Sequence, residues 1–267
     1  MWKMASPPHF WRTYTGRAEV FFFVPVMTST AVVQPPGRHT FSEEEFLAAG
    51  ILKGTVRIHV NVKNRGMARW FTAKLGERER TYVRSEEGHQ FSVRASNHSQ
   101  HELSMTVALD GMVAASVMVH PMTYSFIDRA TTAGGKARAL EWGRAEVTDL
   151  PAEEEPNLIE QLQSAGMIDV CVRHAKKRLP SDPVVQPWTF SSKRMKLPDD
   201  EEKRAIARSV HTTQLGEELA CPRPSAYTTD MERPSIGMLR LYCAPRFPVG
   251  WTVTPAPLSS RSFEIPQ

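Results

Sequence analysis

Cysteine is scarce in this chain: 267 residues hold three, Cys171, Cys221 and Cys243. An odd and sparse count argues against a disulfide-built secreted scaffold, and the spacing matches no zinc or Cys-x-x-Cys pattern. Cys171 and Cys243 sit in apolar alternating segments, which predicts buried free thiols. Long apolar runs are missing too. The most apolar stretch, Val20-Phe21-Phe22-Phe23-Val24-Pro25-Val26, is far shorter than the ~20 residues a membrane-spanning helix needs, so no membrane partner is expected. Neither sign of charge dominates. With 33 Lys and Arg against 29 Asp and Glu the net charge is +4, which permits an anionic partner without requiring one. The chain also lacks a Gly-x-Gly-x-x-Gly fingerprint, a phosphate-binding loop, a His-Glu-x-x-His pair and a Gly-x-Ser-x-Gly elbow. No catalytic residue, cofactor or metal site is therefore expected.

What the chain does have is alternation. Thr55-Val56-Arg57-Ile58-His59-Val60-Asn61-Val62, Phe91-Ser92-Val93-Arg94-Ala95 and Leu103-Ser104-Met105-Thr106-Val107-Ala108-Leu109 each place every second side chain on one face. That is the pattern of a half-buried strand. Val56, Ile58, Val60, Phe91, Val93, Leu103, Met105, Val107 and Leu109 are the predicted inward set. Asp110-Gly111 then joins the third segment to 113–119, and Asp-Gly between apolar runs is a strong hairpin signal. Further strands are expected at Tyr82-Val83, at 139–147 with Leu140 and Trp142 on one face, at 167–173 with Ile168, Val170 and Val172 together, and at 237–243 with Leu239 and Leu241 inward.

Short strands with few helices predict a mainly β protein: a two-layer antiparallel β-sandwich, jelly-roll-like in outline, with two or three short helices. Helices are expected after Ser42, whose capping pattern with Glu45 runs to Gly50. Two more are expected, one after Glu153-Glu154-Glu155-Pro156 up to Gly166 and one starting at 198–204. The prolines divide the rest. Residues 1–40 read as an N-terminal arm, 41–253 as one sandwich domain with a long irregular insertion at 174–236, and 254–267 as a loosely ordered tail. The arm carries Lys3, Arg12 and Arg17 ahead of its first acid, Glu19, a targeting-like bias without an amphipathic helix.

The order of these features also resembles an uncharacterised β-sandwich domain that recurs in fungal proteins. The resemblance rests on Gly54-Thr55-Val56-Arg57-Ile58-His59-Val60, Thr81-Tyr82-Val83, Gly88-His89-Gln90-Phe91-Ser92-Val93-Arg94 and Leu109-Asp110-Gly111. It continues through Gly166-Met167-Ile168-Asp169-Val170 and Arg208-Ser209-Val210-His211-Thr212-Thr213. Arg84 stands where that family carries Glu. The resemblance implies the sandwich fold over about 50–243 and leaves the function open.

Function is expected to be non-enzymatic: a structural or interaction module, such as a subunit or surface accessory of a large assembly, a viral capsid included. Protein partners or self-assembly are expected, with Trp188 and Phe190 on the irregular segment either an aromatic anchor for a partner or, the reading favoured, packed back onto their own sheet. Two basic clusters, Lys176-Lys177-Arg178 and Lys193-Arg194-Met195-Lys196, carry the alternative of a nuclear or nucleic-acid-associated protein. Arg57 and His59, with Lys63 and Arg65 beyond them, could extend such a surface, although base-stacking aromatics are missing from that segment. A hydrolase with an unrecognised site is the third alternative. Residence is expected in the cytoplasm or nucleus, or in a virion if the protein is viral. His98-Ser99-Gln100-His101-Glu102 reads as a polar turn, and Asn97-His98-Ser99 is a glycosylation sequon without a secretory context.

Overall fold

Alternation becomes strands wherever it was strict. The computed structural model describes residues 54–75, 77–144, 147–149, 164–178, 189–190, 195–197, 211–221, 227–244, 252–256 and 260–265. In chain order the strands are β1 (Thr55–Val62), β2 (Gly66–Met67), β3 (Trp70–Leu75), β4 (Arg78–Arg84), β5 (Phe91–Asn97), β6 (Leu103–Leu109), β7 (Met112–Val119), β8 (Tyr124–Ile127) and β9 (Arg129–Thr131). They continue as β10 (Ala137–Arg144), β11 (Val147–Asp149), β12 (Met167–Lys177), β13 (Met195–Leu197), β14 (His211–Leu219), β15 (Tyr227–Thr229), β16 (Gly237–Ala244), β17 (Thr252–Pro255) and β18 (Ser260–Glu264).

These strands form a mainly antiparallel β-sandwich. The first layer has the order β18-β1-β5-β8, with β2 also on β1. It is continued by β14-β10-β9, because Gln90 bridges Glu141 and the Leu140 amide donates to the Asp128 carbonyl at 2.9 Å. The second layer runs β17-β3-β4-β16-β12-β6-β7, with β15 on the end of β12. Its β4–β16 pair is parallel, as is the separate β11–β13 pair. Between the layers lies one apolar core. All nine predicted inward residues of β1, β5 and β6 are in it, together with Trp142, Ile168, Val170, Val172, Leu239 and Leu241. Phe91 and Trp142 stack at 4.7 Å between ring centroids, which joins β5 to β10.

The Asp110-Gly111 hairpin forms as predicted, with Leu109 opposite Met112. Both turn residues have positive φ, 51° and 80°, the backbone of the turn type that matches strand twist. Asp110 does more than turn the chain. Its buried carboxylate accepts the Gly166 amide at 2.6 Å and the Thr213 amide at 2.7 Å, tying the second layer to β14 of the first. Cys171 and Cys243 are buried free thiols as expected, and Cys221 is exposed. Burial raises the pKa of both buried thiols, and for Cys243 the Asp110 carboxylate adds to it.

Two expectations need correction. Within the segment read as irregular at 174–236, β12 continues to Lys177 and β15 pairs with it, while β14 pairs with β10 along most of its length. The segment expected to be a loose tail after 254 holds β18, which pairs with β1 from Thr55–Glu264 to His59–Ser260 and sends Phe263 and Ile265 into the core. The prolines there interrupt the strand pattern without ending the sheet. The predicted short helices and the N-terminal arm fall outside the described residues, except for residues 164–166, and no helix is seen among the described ones. No helix among the described residues is long and apolar enough to cross a membrane.

Candidate functional site

The outward face of the first layer is where the structure gathers chemistry. In β1 the core-facing Val56, Ile58 and Val60 alternate with Arg57, His59 and Asn61. Antiparallel pairing sets Arg57 opposite Ser96 and His59 opposite Arg94 of β5. On the far side of β5, Tyr124 stands opposite Ser96 and Phe126 opposite Arg94. Ser125 and Ile127 face inward with Ala95 and Val93, so Tyr124 and Phe126 must face outward. Two basic rows and two aromatic rings therefore share one face.

Their environments differ. Phe126 is 41% exposed, the most exposed aromatic of the described residues. The Arg94 guanidinium lies over the Tyr124 ring, 3.8 Å from its centroid, a cation–π contact that fixes its direction. His59 is only 6% exposed, and its Nδ1 has no hydrogen-bond partner; nor have the buried Nε atoms of Arg57 and Arg94. Burial, then Arg94 and Arg57, depress the pKa of His59 to about 3. Burial and the same two guanidiniums depress that of His98 to about 4. Burial alone lowers Arg57, and it is the main cause for Arg94. Among the described residues no acidic group counters the two guanidiniums. Among the described residues of β1, β5, β8 and β18, the one acid is Glu264, exposed and opposite Thr55 at the end of its strand.

The residues singled out by sequence are placed differently. Phe190 is 1% exposed and belongs to the core, its amide donating to the Thr131 carbonyl at 2.7 Å, so it is not a partner anchor. The apolar ring found a groove between the layers instead of solvent. Trp188, Lys193 and Arg194 lie outside the described residues. Lys196 is on β13, opposite Thr148. Lys176 is exposed and pairs with Glu232 at 3.2 Å. The polar turn at 98–102 is held by Asn97, whose amide donates to the carbonyls of His101, Val119 and His120. Asn97 is fully buried, which closes the sequon to a glycan in the folded chain. Among the described residues no group of His, Cys, Asp and Glu could hold a metal.

One nucleophile–base geometry does occur. Ser85 Oγ and His211 Nδ1 are 2.9 Å apart. Both side chains are almost fully buried, and they line neither of two shallow clefts on the surface. The larger, about 370 Å³, is bounded by Glu79, Arg80, Thr81, Arg240 and Tyr242, with the Arg240 guanidinium held on Asp169 at 2.7 and 3.0 Å. Sequence reasoning noticed Arg57 and His59 but not their neighbours. Tyr124 and Phe126 lie outside the alternating segments, and only the β5–β8 pairing brings them alongside. No family model, no curated protein and no solved structure matches the chain.

Proposed function

We propose that this chain is a non-enzymatic interaction module whose partner is anionic and docks on the outward face of β1, β5 and β8. One observation supports it above the others: the Arg57 and Arg94 guanidiniums lie half-buried there, with His59 neutral opposite Arg94 and, among the described residues, no acid beside them. Taking cationic groups out of water without pairing them lowers stability. A fold that keeps such a cluster trades stability for something, and unsatisfied groups of this kind concentrate at binding sites. An anionic group on a partner would pair with the parts of the Arg57 and Arg94 guanidiniums that stay open to solvent.

The experiment is denaturant unfolding of Arg57→Gln at neutral pH and low salt. Because Arg57 gains no ion pair in the fold, its neutral variant should be as stable as the parent or more stable. A loss of more than about 2 kcal/mol would make Arg57 a structural residue and remove the basis for this reading. The jelly-roll-like capsid or assembly subunit remains a weaker proposal, since its support is fold class alone.

A further inference from the structure

We infer that the anionic partner is single-stranded nucleic acid, with Arg57 and Arg94 on its phosphates and Phe126 as the platform on which a base stacks. The inference rests on reading this face as an interaction surface and names what occupies it. Charge complementarity is its first support: the described cations of the face meet no acid except Glu264 at one end. A phosphate backbone carries the regularly spaced negative charge that such a surface lacks.

The aromatic side chain decides between kinds of anion. An exposed phenylalanine beside a guanidinium is poorly matched to a plain acidic peptide, whereas every nucleobase offers a flat ring to stack. Tyr124 and Phe126 are two residues apart on one strand, so their side chains project about 7 Å apart along it. That spacing suits an extended strand with its bases splayed, one nucleotide per side-chain position. Tyr124 meanwhile holds Arg94 flat and directed along the face. Two strands from β8, about 10 Å away, β1 carries Arg57, whose half-buried guanidinium stands on the same face beside the path of the backbone. A duplex fits less well. Reading its major groove takes a helix or a narrow two-stranded ribbon, and these residues lie on a broad sheet face.

The test is fluorescence anisotropy of a labelled dT12 strand, and of its RNA counterpart U12, on the full-length protein between 50 and 200 mM salt. Binding should weaken linearly with log salt. Arg94→Gln and Arg57→Gln should each reduce the slope by about 0.7. Phe126→Ala should weaken binding roughly five- to a hundredfold while leaving the slope unchanged. A structural defect would not split the two readouts in this way. Absence of binding at 50 mM salt by the folded protein would overturn the inference, as would binding that ignores all three substitutions or a polyglutamate peptide that binds as well as dT12. If no strand binds while Arg57→Gln keeps its stability, the nucleic-acid inference fails and the anionic-partner reading stands. If Arg57→Gln unfolds, that reading fails as well.

Discussion

Phe190 stands in a proline-rich segment, yet its side chain is among the most deeply buried of the described residues. Local composition leaves an exposed anchor and a ring packed back onto the sheet both open, because prolines mark surface connections; the long-range bridge between Thr131 and Thr189 carries it inside. Phe190→Ala should therefore cost about 3–5 kcal/mol in urea unfolding. A partner anchor would leave stability intact and lose only binding. His59 makes a second prediction at this scale. Its folded pKa, about 3, lies below the unfolded value near 6.5, and His98 behaves alike at about 4. Between those limits the unfolded chain binds more protons, so these histidines leave stability complete above about pH 6.5 and erode it as pH falls. His59→Gln should flatten that decline by about 1–3 kcal/mol between pH 6.5 and 4, measured by unfolding at a series of pH values. An unchanged acid limb would mean that His59 is not buried as a neutral base.

At the scale of elements, the legible strands were those with one apolar and one polar face to distinguish. β1, β5, β6, β12 and β16 alternate strictly, and every inward residue named from their sequence is in the core. β8 offers only Ser125 and Ile127 to the inside, too few to show a period, and so the aromatic half of the candidate site stayed hidden. β14 is polar along most of its length and is a strand because β10 pairs with it, through a register shift between Arg138 and Leu140. β18 lies between prolines and is set by β1. Pairing partners are long-range information, and one chain's periodicity does not contain them. The Asp110-Gly111 turn was legible as a hairpin, but its second role was not. Asp110→Asn can keep the positive φ and still removes one of two buried acceptors, leaving an amide N–H of Gly166 or Thr213 facing another N–H. It should cost about 1–3 kcal/mol in denaturant. A neutral result would show that the turn alone explains this residue.

Over the whole molecule, the sandwich leaves its best-patterned strands with two different duties. The inner faces of β1 and β5 build the core, and their outer faces carry two guanidiniums that no acid among the described residues neutralises. Sequence reasoning pointed toward the arm at 1–40 and the segment at 174–236; the proposed interaction face lies instead within the region 55–127. The most direct measurement is an NMR titration of the isotopically labelled full chain with dT12, following backbone and arginine side-chain signals. The account predicts shifts concentrated at Arg57, His59, Arg94, Tyr124 and Phe126. Shifts confined to 176–178 and 193–196, or none at saturating strand, would contradict it.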